Sequence, residues 1–327
     1  MHLTSLRPRG LLLVLALPWL CVACDDGAQK PVPERYQQIA APQPDGPTVE
    51  YHDAARTKKR SAGELRGGKP VGPWTSWHEN GQISSQGEYA DGRRVGPWTL
   101  FHPNGQKLSE APFVADKIDG PVTEWHDDGH VSRKSTYANG LLTGKCEEWY
   151  PNGQLLRSIE YVAGEIDGHV VEFHPNGQKL REGDYRAGKQ IGAWSSWHSN
   201  GKPSSQGAYV DGAQDGPWRS WHPSGQLEKE GAFAAGKHEG LWTVWDESGN
   251  TVRQCGFHAG VQHGEASAWY PNKQLASQGR FENGKRAGEW RYWKEDGALD
   301  AEQSGVYADD RRVSALPADG APPQKNG

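Results

Sequence analysis

The sequence predicts an all-β chain, a repeat array of 24-residue antiparallel β-hairpins forming one long twisted sheet. Three observations predict it. Gly recurs every 24 residues from Gly72 to Gly288. Aromatic residues stand in fixed columns between those glycines. Each unit holds two Gly-centred turn signals, which leave no stretch long enough for a helix. Composition agrees: among 327 residues there are 42 Gly and 15 Trp, only 35% are hydrophobic, and the formal net charge is -5. A chain so poor in aliphatics does not fill two ordinary globular cores, and its aromatics exclude a disordered chain. The Gly spacing is not that of collagen. The near-neutral charge excludes a dedicated nucleic-acid binder.

The elements follow in order. Residues 1–23 read as a signal peptide: Arg7 and Arg9 precede a short apolar run over 10–20, too short to span a bilayer. Leu20-Cys21-Val22-Ala23-Cys24 resembles a bacterial lipobox, in which Cys24 takes lipid and becomes the first mature residue; Cys21 departs from the usual Leu. Plain secretion with cleavage after Ala23 is the alternative. Asp25 and Asp26 resemble an inner-membrane retention signal, but the choice between inner and outer membrane stays open. Residues 24–45, rich in Pro, Gln and Ala, read as a disordered tether, and 314–327 as a disordered tail.

Residues 46–313 carry the repeats. With the unit's first Gly as position one, ten units run from Gly72, and a degenerate unit over 46–71 precedes them. Position six is aromatic in every unit: Trp77, Phe101, Trp125, Trp149, Phe173, Trp197, Trp221, Trp245, Trp269 and Trp293. Position three is Trp in six: Trp74, Trp98, Trp194, Trp218, Trp242 and Trp290. Position eighteen is Tyr or Phe in the first nine units, from Tyr89 to Phe281. Both array ends are atypical, as capped repeats require.

Within a unit, Pro103-Asn104-Gly105 fits a type I turn closed by a Gly bulge, and Ala90-Asp91-Gly92-Arg93 marks a second hairpin turn. Pairing of position seven with eleven sets six against twelve. Simple alternation then puts positions six and eighteen on one buried face and position three on the other, half-exposed face. A second bulge would reverse that assignment. Position sixteen is often Gly, as at Gly87, Gly183, Gly207, Gly231 and Gly279, and leaves room for a neighbouring ring.

The pattern G-x-W-x-x-[WF]-[HY]-x-N-G-[QK], an aromatic, then G-K-x-x-G resembles the MORN repeat in its bacterial variant form. That resemblance implies stacked hairpins in a long twisted sheet. Some bacterial members resemble antitoxins of toxin–antitoxin pairs, a label that sits oddly with a secreted lipoprotein.

Candidate chemistry is sparse. Six His stand at position seven: His78, His102, His126, His174, His198 and His222. Successive ones lie two strands apart, roughly 9.6 Å, too far to share a zinc ion. They read as half-exposed residues beside the turn. Cys146 and Cys255 fall in different columns, separated by roughly 35–40 Å, so no disulfide joins them. No nucleophile elbow, H-E-x-x-H, P-loop or dinucleotide fingerprint occurs. The expectation is a non-enzymatic protein with neither cofactor nor metal. Its position-three Trp column is the candidate binding strip for an unidentified protein partner or for envelope polysaccharide. The chain reads as a protein-binding or spacer scaffold of the bacterial envelope, held to the membrane through Cys24. A carbohydrate-binding or an antitoxin-like role is the alternative.

Overall fold

The computed structural model describes residues 45–316, all within one compact unit, Pro44–Gly327. The described residues form strands and turns with no helix. They fold as a single open antiparallel meander of 24 strands. The order is β1 (Gly46–Tyr51), β2 (Lys59–Arg66), β3 (Lys69–Trp77), β4 (Ile83–Ala90), β5 (Arg93–Phe101), β6 (Lys107–Val114), β7 (Lys117–Ile118) and β8 (Gly120–Trp125). It continues in the same rhythm to β24 (Arg311–Ala315). Consecutive strands pair, as in β3 with β4 and β4 with β5, and β7 and β8 are two segments of one strand that both pair with β6. The all-β hairpin array expected from the 24-residue period is the fold observed. The Cys24 lipid site and the tether through residue 44 lie outside the described residues; of the tail expected over 314–327, Ser314 and Ala315 instead end β24, and residues from 317 lie outside.

Both turns have the expected chemistry. At Pro103-Asn104-Gly105, His102 N–H donates to Gln106 O (2.8 Å) and Gly105 N–H to His102 O (2.9 Å). That is the three-residue loop with its Gly bulge. The other turn pairs Ala90 with Arg93 across two left-handed residues, Asp91 and Gly92, the two-residue turn whose twist matches the strands. The unit-start glycines do not begin strands. Gly96 lies inside β5 at φ +65°, where Gly96, Pro97 and Trp98 oppose the single residue Gly87. A side chain with Cβ resists that conformation, so the 24-residue period is the period of a backbone bulge.

The face assignment expected from alternation is reversed. Phe101 does pair with Lys107, as six against twelve, but Leu100 pairs with Ser109. Leu108 is therefore an extra residue, and the same slip recurs in each full hairpin, as between Ser76 and Trp77 and between Ser196 and Trp197. One extra residue exchanges the faces of everything beyond it. Position eighteen thus joins positions three and sixteen, and position six turns to the opposite face. Burial follows. Trp98, Trp194, Trp242 and Trp290 are buried, as are Val122, Cys146, Val170 and Ala266 in the same column. Trp74 and Trp218 are half-buried. In the column expected to be the core, Trp77, Phe101, Trp125, Trp149, Phe173, Trp197, Trp221, Trp245 and Trp269 are all half-buried; Trp293 alone is buried.

Candidate functional site

The buried face is organised by one rule. Wherever position sixteen is Gly, position three of the next unit is Trp, and the indole lies on the bare backbone. A Cβ at Gly87 would stand 2.2 Å from Trp98, and one at Gly207 would stand 2.1 Å from Trp218. Gly63, Gly183, Gly231 and Gly279 lie in the same way under Trp74, Trp194, Trp242 and Trp290. Where the ring is missing, the floor residue is larger: Ala111 with Val122, Ser135 with Cys146, Ile159 with Val170 and Cys255 with Ala266. The room expected above position sixteen is real, but its occupant is the position-three ring and not position six.

The position-eighteen rings stand between these indoles, edge to face. Trp74–Tyr89–Trp98–Phe113 is one run, with centroids 5.7, 5.0 and 6.4 Å apart. Tyr185–Trp194–Tyr209–Trp218–Phe233–Trp242 is a second, with spacings from 5.0 to 5.8 Å. Such contacts add roughly 0.5–1.5 kcal/mol each to area burial. Four indoles also donate Nε1–H to a backbone carbonyl: Trp98 to Glu88, Trp218 to Ala208, Trp242 to Ala232 and Trp290 to Arg280. The six position-three Trp therefore hold adjacent units together; burial removes Trp98, Trp194, Trp242 and Trp290 from an exposed binding strip, while Trp74 and Trp218 stay half-buried.

Between the two runs the small position-three residues are accompanied by an ion-pair ladder that column reading missed. Arg157 and Arg181 bind Glu148 and Glu172 in two-pronged fashion, at 2.8–2.9 Å. Arg133 sits between Glu124 and Glu148 at 3.8 Å from each, and its Nε donates to Cys146 Sγ at 3.3 Å. The signal was available: positions five and fourteen are Glu and Arg in three successive units.

The position-seven His are staples rather than ligands. His78 Nε2 lies 2.9 Å from Phe101 O, and His102, His126, His174, His198 and His222 make the same contact with the next unit at 2.7–3.0 Å. A carbonyl only accepts, so Nε2 carries the proton. Tyr150 and Tyr270 hydroxyls reach the equivalent carbonyls, of Phe173 and Trp293, at 2.9 and 2.8 Å. The turn Asn repeats the device: Asn80 Nδ2 donates to Pro103 O, and Asn104 Nδ2 to Asp127 O. His198→Ala should cost about 1 kcal/mol in urea unfolding, whereas His198→Tyr should stay within a few tenths because Tyr already fills this place twice. Equal losses in both variants would show that the bond contributes nothing.

Cys146 and Cys255 are free and buried on the same face. Burial raises both thiols above the usual range, which keeps them protonated and weakly nucleophilic. Among the described residues no group of three or more His, Cys, Asp or Glu is placed to hold a metal.

The opposite face offers the position-six rings. Lys59, Lys107, Lys134 and Lys179 extend over Trp77, Trp125, Trp149 and Trp197, with Nζ 5.5–5.8 Å from the ring centroids. Half-buried rings beside these ammonium groups form a regular surface.

An open all-β hairpin-repeat protein is thus defined by its bulged 24-residue unit. Seven of its segments match the MORN repeat variant: residues 70–91, 94–115, 118–139, 142–163, 166–187, 214–234 and 262–283. The seven share one phase of the 24-residue period. No curated protein matches the chain. Among solved structures it is similar to the crystal structure of TcdB2-TccC3-Cdc42, at 11% identity and a TM-score of 0.17, over 77% of this chain and 18% of that one. It is also similar to the Photorhabdus luminescens Tc holotoxin pore, at 12% identity and a TM-score of 0.18, over 77% and 18%. The chain spans less than a fifth of the length of those it matches.

Proposed function

We propose that this chain is a non-enzymatic scaffold of the bacterial envelope, anchored by lipid on Cys24, whose MORN-variant sheet binds or spaces other proteins. The observation that carries the reading is the open sheet itself. Each repeat bonds only to its neighbours, one face is occupied by its own rings, and the other presents the position-six surface. Affinity purification of the mature chain from membranes, followed by mass spectrometry, should recover a defined protein partner. Cys24→Ser should release the chain from membranes. A wild-type chain that is equally soluble would overturn the tether, and repeated recovery of the chain alone would overturn the scaffold.

The exposure of position six favours one second reading, stacking on polysaccharide. Here the relevant rings are Trp197, Trp221 and Trp245. If sugars are the ligand, changing these three to Ala should abolish glycan-array binding while leaving the fold intact. Changing Trp194, Trp218 and Trp242, which pack on Gly183, Gly207 and Gly231, should instead damage the fold. Undiminished glycan binding by the position-six variant would remove this reading.

A further inference from the structure

The aromatic ladder is interrupted twice, and the two gaps are filled differently. The first, between Phe113 and Tyr185, holds Val122, Cys146, Ile159 and Val170 and is crossed by Arg133 and Arg157, each fastened to a carboxylate. The second lies between Phe257 and Phe281, at the pair Cys255 and Ala266. Ring contacts run through His238 to Phe257 and resume at Phe281 with Trp290, whose centroids are 4.9 Å apart. Here two clefts adjoin, of about 390 and 190 Å³. The larger is walled by Phe281, Trp290 and Tyr292, the smaller by Trp242 and Phe257, and Arg253 lines both.

Outside the two gaps, the space between two position-eighteen rings holds an indole. The occupied pairs show the geometry: Trp242 stands 5.0 Å from Phe233 and Trp218 stands 5.8 Å from it, both edge to face. At the second gap the walls of that slot are kept and the indole is replaced by the methyl of Ala266.

The charge at this slot is also distinct. Arg253 is in the column of Arg133, Arg157 and Arg181, but its paired residues are Val244 and Ala268, so no carboxylate faces it across either strand. Arg253 is exposed and lines the smaller cleft beside Cys255. Lys229 and His238 lie on the same side, and Arg286 on the other is bound to Asp310. The slot therefore combines aromatic walls with a cation that forms no ion pair among the described residues.

We propose that this slot, between Phe257 and Phe281 with Arg253 at its mouth, is a binding site for a planar aromatic group carrying a carboxylate. The ring enters edge to face, as the array's own indoles do, and the carboxylate meets the Arg253 fork, the geometry that favours bidentate pairing. The ligand is either a free aromatic acid or an aromatic side chain within an acidic peptide. The slot is a local feature of the folded array, so its test neither requires nor decides the membrane tether.

The test is isothermal titration of the full chain with 2-naphthoate, with neutral 2-naphthalenemethanol and cyclohexanecarboxylate as controls. Naphthoate should bind at least roughly 10-fold more tightly than either control, a difference of about 1.4 kcal/mol. Arg253→Gln should remove that preference. The paired change Cys255→Gly with Ala266→Trp recreates the array's own indole-on-Gly pair, so it should fold normally and abolish binding. A short peptide Glu-Trp-Glu, blocked at both ends, distinguishes the sources: tighter binding than naphthoate marks a chain segment as the ligand, and absence of peptide binding marks a small acid. Failure of both probes to bind, or binding unaffected by the paired change, would overturn the site.

Discussion

Gly231→Ile should destabilise the array by about 2–3 kcal/mol, through overpacking beneath Trp242. A Cβ at Gly231 would stand 2.2 Å from the Trp242 ring, and the ring is wedged between Phe233 and the neighbouring strand, so it has little room to retreat. Trp242→Val alone should cost about 3 kcal/mol, because it empties a buried site that cannot collapse. The two together recreate the pair Ile159 with Val170, which the same sheet buries to 4% and 3% exposure. The double variant should then be no less stable than either single one, a favourable coupling of at least about 3 kcal/mol. Urea unfolding followed by circular dichroism measures all three. Additive losses would mean that the Gly and Trp columns are matched by accident, and the account of the buried face would fail.

The second large effect concerns whole units. Removing residues 192–215 joins Ile191 to Gly216, so Trp218 takes the place of Trp194 over Gly183, and His174 finds Trp221 O in place of Trp197 O. Floor, ring and staple are all preserved. The shortened chain should unfold cooperatively with only the modest loss expected from one repeat of an additive array. Removing 264–287 is equally in phase but seats Trp290 on Cys255 in place of Gly279, and it should cost about 2–3 kcal/mol more. Removing only 192–203 deletes one strand of a meander. The residues left from the two strands fuse into one that still runs antiparallel to its neighbours, but Gln206 falls where Trp194 stood over Gly183, so its face pattern is inverted. That variant should lose cooperative unfolding. Similar melting of the two 24-residue deletions would refute the pairing rule, and similar melting of all three would refute the repeat unit.

Much of this was legible in the residues. The period, both turn types and the all-β class follow from local chemistry: Gly105 after Pro103-Asn104, and Asp91-Gly92, supply the left-handed backbone that the two turns need. The match of Gly183, Gly207 and Gly231 with Trp194, Trp218 and Trp242 was also present as a correlation between columns one unit apart. Reading each unit by itself concealed it. The His column was recognised as beside the turn, but its carbonyl partner belongs to the next repeat and is met only when units stack.

The sequence by itself determined that the chain is a 24-residue hairpin array with aromatic columns, because turn chemistry and spacing act within a few residues. The tertiary structure alone decided which column is buried. A single extra residue at position thirteen, occupied by Ser84, Leu108, Ser132 or Glu228, has no compositional mark, yet it exchanges the two faces of every strand beyond it. The indoles of position three consequently seal repeat against repeat, and the rings of position six face outward. For the same reason the slot between Phe257 and Phe281, where the indole is missing and no carboxylate faces Arg253 across the strands, becomes visible only once the faces are known.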